Sequence, residues 1–427
     1  MREMKNSGIE WIGEIPVGWE LLPVKRFFRH TKRVVGSAVD EYERLALTMN
    51  GVIKRSKDDS EGLQPEKFEG YQILKENELV FKLIDLENVK TSRVGLSPYT
   101  GLVSPAYIVI TNNKKDNQFY YYWFMFMYYN EIFNHLGGEG VRSALNAKDV
   151  LSLPVPAISD EMMTNISTYL NTKCEKIDSI IARQQEVIEK LKAYKLSVIT
   201  EAVTKGLNPD VRMKDSGVEW IGDVPEHWKI IKARFVIDKI GDIDHYMPNS
   251  VDDGFPYIMI GDLAERLSKI AFPDCKQVSK QDYEMLSLKM KPSKGDVIFA
   301  RYATIGTVCY VDEEADFLVS YSCVTVKPSK EKMFGLFLYY YFKSAAFIED
   351  VKQYINSNTQ GNVGIESLYR VKFTIPPLKE QQQIADYLDK KCSAIDSAIA
   401  KKQAIIEKLT AYKKSLIYEV VTGKKEV

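Results

Sequence analysis

Histidine is scarce in this chain. Its four copies, His30, His135, His227 and His245, are too scattered to supply metal-ligand spacing. The five cysteines are odd in number and include no CxxC pair, which argues against a disulfide framework or a zinc module. Catalytic signatures are missing too. There is no GxxxxGK(S/T) loop for nucleotide phosphates and no GxGxxG after a strand. There is no HExxH and no GxSxG elbow. The Asn-Pro-Pro-aromatic tetrapeptide of amino-methyltransferases is absent, and the double proline Pro376-Pro377 follows Ile375. Net charge is zero, so no global basic field advertises a nucleic-acid partner, although a local basic groove stays open. The most aromatic stretch, Phe119 to Tyr129, is far short of the ~20 apolar residues a membrane span needs. The opening MREMKNSGIEW lacks the apolar core of a signal peptide, so a cytoplasmic protein is expected. These absences favour binding or architecture over catalysis. At 427 residues, 45% apolar and 27% charged, the chain can build two or three domains with proper cores.

What the chain does contain is said twice. MKNSGIEWIGEIPVGW (Met4 to Trp19) returns as MKDSGVEWIGDVPEHW (Met213 to Trp228). A second echo starts at Asn171, NTKCEKIDSIIARQQEVIEKLKAYKLSVITEAVTKG, and again at Asp389, DKKCSAIDSAIAKKQAIIEKLTAYKKSLIYEVVTGK. Both echoes carry a heptad stripe. One seam holds Leu170, Cys174, Ile177, Ile181, Ile188, Leu191 and Val198; its copy holds Leu388, Cys392, Ile395, Ile399, Ile406, Leu409 and Leu416. Apolar a and d positions without Pro or Gly predict two helices of ~45 residues, each ~65 Å long. Gly206 and Gly423 stand where such helices would end. A striped helix of that length needs a partner. A pseudo-two-fold relation between the halves makes the other copy that partner, running antiparallel, with the inserts at opposite ends of the pair. Cys174 and Cys392 read as small apolar core residues rather than a redox switch. The polar seam positions Gln184, Lys402, Lys195 and Lys413 either set the register or face outward.

Between the echoes lie two unlike inserts, about Glu20 to Pro156 and Lys229 to Pro377. Both mix strand-like runs (Leu79–Leu83, Ala106–Thr111, Asp296–Ala300, Leu318–Val326) with a late aromatic helix. The aromatic stretches are too apolar to be base-stacking platforms and read as core helices. A polar run follows each: GGEGVRSALNAKDVLSLPVP from Gly137 and NSNTQGNVGIESLYRVKFTIPP from Asn356. Arg142, Ser143, Asn146, Asn358, Thr359, Gln360 and Asn362 have the chemistry for base edges; the plain alternative is a surface turn with a helix cap. Arg301, Tyr302 and Thr304, and in the first insert Lys82, follow a strand, where a cation suits phosphate or guanine as well as an ordinary salt bridge.

The repeated SGIEWIGEIPVGW and SGVEWIGDVPEHW openings, the EQQQIADYLDKK run after Pro376, the doubled helix, GLVSPAYIVI (Gly101–Ile110) and GDVIFARYATIG (Gly295–Gly306) resemble the specificity subunit of Type I restriction–modification systems over the whole chain. One departure is visible: the first helix starts PAISDEMMTNISTYL, with two extra residues and no EQ, so a looser junction or a different partner contact is expected there.

The resemblance implies an α+β fold with two mixed α/β target recognition domains separated by two long antiparallel coiled-coil helices. The divisions are 1–156, 157–207, 208–377 and 378–427. Each insert would read one half of a split, asymmetric double-stranded DNA target, with the helices as a ruler. The chain itself would be non-catalytic and carry no cofactor. Two modification subunits would bring S-adenosylmethionine, and a restriction subunit would bring ATP and Mg. No membrane partner is implied. The competing class is a scaffold whose inserts bind proteins instead of DNA.

Overall fold

The computed structural model describes all residues except 1, 49–50, 60–66, 85, 87–92, 115, 137–143, 303–304 and 357–360. It divides into two compact units, Met1–Gln184 with Ala404–Val427, and Gln185–Gln403. The division falls inside both long helices, Asp160–Lys205 and Leu378–Val421, so each unit owns a half of each.

In the first unit the central sheet is ordered Arg29–His30, Ile108–Thr111, Leu79–Phe81, Val94–Leu96, with antiparallel neighbours. A second sheet is ordered Gly51–Arg55, Arg44–Thr48, Gly101–Val103, Gln72–Leu74, and its middle pair is parallel. The second unit repeats this plan with other residues. Its central sheet is Ile237–Gly241, Cys323–Pro328, Val297–Ala300, Val308–Tyr310. Its smaller sheet is Lys276–Val278, Phe255–Ile258, Leu318–Val319, again with one parallel pair. The middle strands, IVIT and VIFA, are buried along their whole length. Fully buried runs of this kind suit strands covered on both faces.

The aromatic stretches are core helices. Gln118–Tyr129 buries Phe119, Tyr120 and Tyr122 through Met127, as expected of a helix that is apolar all round. Gly335–Phe342 does the same in the second unit. Their polar tips make matching bonds. The Tyr122 hydroxyl meets Asn171 Oδ1 at 2.7 Å, and Tyr340 meets Asp389 Oδ1 at 3.0 Å. Trp123 Nε1 donates to the Pro154 carbonyl, and the Tyr341 hydroxyl to that of Lys372.

The long helices pair antiparallel in both units. In the first, Ile166, Leu170, Cys174 and Ile177 share a core with Leu416, Ile417 and Val420. In the second, Val198, Ile199 and Ala202 share one with Ile384, Leu388 and Cys392. Toward mid-helix Ile188 is buried, while Ile181, Leu191, Ile399, Ile406 and Leu409 are half-buried. Lys413 Nζ reaches Asp178 and Lys195 Nζ reaches Asp396, at 2.7 Å to each carboxylate oxygen. The seam lysines therefore face the partner helix and bind equivalent aspartates. Each unit thus makes the same lysine–aspartate bond between its two helix segments, and that bond selects one register.

The repeated frame closes each unit. Met4–Asn6 pairs with Glu14–Pro16, and Met213–Asp215 with Asp223–Pro225, in the same register. Glu20–Pro23 zips to Pro154–Ala157, and Lys229–Lys232 to Lys372–Ile375, bringing both ends of each insert together. Each frame covers a helix C-terminus. Gly206 (φ 77°) backs onto Trp228, and Gly423 (φ 73°) onto Pro16 and Trp19. Lys424 Nζ donates to the Ile12 carbonyl at 2.9 Å, tying the C-terminal segment to the first frame.

Candidate nucleic-acid interface

In the second unit, the strand Val297–Ala300 runs straight into Arg301. The Arg301 carbonyl accepts from Val363 N at 3.0 Å, and Tyr302 bridges to Asn362. Two polar runs distant in sequence thus meet at one end of the central sheet. Arg301 itself is 7% exposed. Its Nη2 donates to Asp242 Oδ2 at 2.6 Å, its guanidinium lies 4.6 Å from the Tyr302 ring centroid, and its Nε has no partner. A buried N–H without an acceptor is costly, so this fork is incompletely satisfied. Asp242 is a hub: Lys289 Nζ lies 3.5 Å from its Oδ1 and His245 Nε2 3.4 Å from its Oδ2. The His245 ring stacks on Tyr321 with centroids 4.9 Å apart, and Tyr246 and Met247 beside it are exposed. Sequence reasoning missed this 242–247 loop, because nothing local marks Asp242 as the partner of an arginine far along the chain. Thr304, Asn358, Thr359 and Gln360 lie outside the described residues.

In the first unit Lys82 is half-buried and follows Leu79–Phe81, as Arg301 follows its strand. The register separates them. Phe81 pairs with Ile108 and Val94, and Phe299 pairs with Val324 and Val308. Lys82 N donates to the Arg93 carbonyl just as Ala300 N donates to that of Thr307. Lys82 therefore occupies the place of Ala300, and Leu83, buried, that of Arg301. One residue of slip turns a side chain to the opposite face. By the same register His30 matches Ile240, which puts exposed Lys32 where the second unit has Asp242. The Arg301–Asp242 pair is therefore not repeated at these two positions.

Asn146 is the N-cap of Ala147–Ser152. Its side chain accepts from Lys148 N and Asp149 N, and Asp149 returns the bond in a capping box. Arg142 and Ser143 lie outside the described residues. Among the described residues no group of His, Cys, Asp and Glu could hold a metal, and no helix is long and apolar enough to cross a membrane.

The fold defines a protein made by internal duplication, one topology carrying two different loop sets. Residues 230–410 match the family described as the Type I restriction modification DNA specificity domain. The type I restriction enzyme MjaVIII specificity subunit of Methanocaldococcus jannaschii is 23% identical over 281 residues, 64% of this chain and 62% of that protein. The type I restriction enzyme EcoBI specificity subunit of Escherichia coli is 20% identical over 291 residues, 63% of this chain and 60% of that protein. The chain thus spans less than two thirds of the length of either relative. A chain solved in a study of complex assembly and conformational transition of the type I R-M system has the same fold. Its TM-score is 0.67 at 14% identity, over 96% of this chain and 99% of that one. The second half of the chain thus carries the Type I restriction modification DNA specificity domain, and the chain is similar to type I restriction enzyme specificity subunits.

Proposed function

We propose that this chain is the DNA sequence-specificity subunit of a Type I restriction–modification complex. It reads a bipartite, asymmetric target in double-stranded DNA, one recognition domain per half-site. The observation that carries this reading is a shared topology bearing unlike loops. The two central sheets agree strand for strand, yet Arg301 and Asp242 are replaced by Leu83 and Lys32 at their reading end. Two readers on one repeated frame suit a target of two different halves.

In this reading the chain is non-catalytic and binds no cofactor. Two modification subunits dock on the frame and bring S-adenosylmethionine. A restriction subunit with ATP and Mg joins them, and the complex works on DNA in the cytoplasm of a prokaryote. Arg142, Asn358, Gln360 and Arg301 face the DNA, and the paired helices hold the gap between half-sites.

The test is to assemble the chain with its methyltransferase subunits, present random-sequence DNA, and map methylated adenines by long-read sequencing. A split motif with unlike halves and a constant gap is expected. Methylation without a sequence pattern would sink the reading.

A further inference from the structure

In the second unit, adjacent residues of opposite charge each grip a different long helix. Glu265 Oε1 lies 3.2 Å from Lys195 Nζ on the first helix and also binds Lys343 on the aromatic segment. Arg266 binds Asp389 on the second helix, and its guanidinium sits over the rings of Tyr310 and Tyr339, 5.0 and 5.1 Å from their centroids. The Glu265 carbonyl accepts from Tyr310 N at 3.1 Å, anchoring the pair to the central sheet. Lys195 is shared with Asp396, so the helix–helix contact and the insert–helix contact meet at one ammonium group.

The charged partners of this bolt on the aromatic segment and the second long helix are not repeated in the first unit. The matching bonds of Tyr122 with Asn171 and Tyr340 with Asp389 align the aromatic helices. On that alignment Met125 stands for Lys343, and neutral Asn171 stands for Asp389. Lys413, the counterpart of Lys195, is paired with Asp178. An apolar contact tolerates sliding, whereas two ion pairs of opposite sense, planted on two helices, select one orientation.

We propose that Glu265 and Arg266 are positioning residues. They set the angle at which the second recognition domain sits on its helix pair, and thereby how strictly the complex measures the gap between half-sites. This rests on the reading of the chain as a DNA-specificity subunit.

The test uses the full chain assembled with its methyltransferase subunits. Substrates are duplexes bearing its mapped target with the native gap and with gaps one base pair longer or shorter. The ratio of methylation rates is the readout. The Glu265→Gln/Arg266→Gln variant should lose discrimination by roughly tenfold while still methylating the native gap. Lys343→Met, which installs the residue of the first unit, should move the ratio the same way. With the unaltered chain, discrimination should weaken as salt rises, because partly exposed ion pairs are screened. Sequence-specific methylation whose gap discrimination ignores both variants, or ignores salt where neither variant folds, overturns the positioning role alone. A wild-type complex that shows no sequence pattern overturns the underlying reading as well.

Discussion

The aromatic helix begins against the same tight turn in both units, and the two units meet that demand with opposite chemistry. In the first, Asn77 holds a left-handed φ of 62°. It grips Asn117 at the helix start: Asn117 N donates to its Oδ1 and Asn117 Nδ2 to its carbonyl. In the second, Gly295 takes the turn at φ 94° and Gly335 takes the helix start, and the two backbones press together with no room for a side chain. Polar satisfaction then comes from farther away. Buried Gln381 accepts from Phe334 N at 2.8 Å and donates to the carbonyls of Lys332 and Pro376 at 2.9 Å. The first unit has buried Met163 in its place. The lesson is that the missing EQ at the first helix does not leave a hole. The hydrogen bonds moved to an asparagine pair, and the vacated position became apolar.

The sharpest way to break this comparison is Gly335→Ala. A Cβ there would lie 2.0 Å from the Gly295 carbonyl oxygen, an atom that cannot rotate away. Overpacking against backbone should cost about 3 kcal/mol, and hydrogen exchange of the second unit's central sheet would report it. Asn117→Ala in the first unit opens space and loses bonds instead, and should cost less. Equal costs would mean that the two starts are not built differently.

Next comes Gln381→Met, which gives the second unit the residue of the first. It strands Phe334 N and two carbonyls, since the asparagine pair that serves the first unit is not there. A loss of about 2 kcal/mol is expected from urea unfolding of the second unit. A neutral result would show that water or backbone shifts replace those bonds.

How much of this was legible beforehand follows from the range of the interactions. The doubled frame, the long helices and the buried aromatic helices rest on composition and periodicity, which are local, and Leu170, Cys174, Leu388 and Cys392 are buried as the heptad pattern places them. The insert topology was not legible. Its strands run two to six residues, as Arg29–His30 and Cys323–Pro328 do, too short to carry a reliable period. Their pairing joins residues far apart in the chain. The same holds for the one-residue offset between Lys82 and Arg301, which only the sheet register exposes, and for the partner of Arg301. The seam lysines were ambiguous for another reason: a lysine in a stripe can snorkel out or pair across, and only the position of Asp178 and Asp396 on the facing helix decides.

A smaller effect separates the charged bolt of the second unit from the apolar contact of the first. Burial alone would raise the Glu265 carboxyl, but Lys343 and Lys195 outweigh it and pull it from the usual 4.5 down to about 2. A carboxylate that is more acidic when folded stabilises the protein above its unfolded value, and the benefit fades as pH falls from about 4.5 toward about 2. The side chain is 41% exposed, so screening limits the benefit to about 1 kcal/mol. Wild type should therefore lose more stability than Glu265→Gln across that window, read as unfolding of the second unit. Parallel curves would show that the ion pairs contribute nothing there.

The smallest expected effect concerns Asn146, where two roles compete for one side chain. As the N-cap of Ala147–Ser152 it spends its oxygen on Lys148 N and Asp149 N at 2.8 and 3.2 Å, and the bond from Asn146 N to Asp149 Oδ2 closes the box. Its amide N–H groups stay open to a base edge, so position alone does not choose between cap and reader. Substitution does. Asn146→Asp keeps the accepting oxygen and the cap but removes both side-chain donors; Asn146→Ala removes both functions. If the residue is a cap, Ala costs about 1 kcal/mol of local stability and Asp costs almost nothing. The methylated sequence then stays the same in both. If it reads a base, Asp keeps the fold and changes or abolishes recognition at one position of the first half-site. The corresponding position of the second unit does not offer the same test, because Gly364, at the start of Ile365–Leu368, has no side chain to cap with. The outcome therefore also tells whether the first unit stiffens this helix start with a side-chain cap where the second leaves it to the backbone.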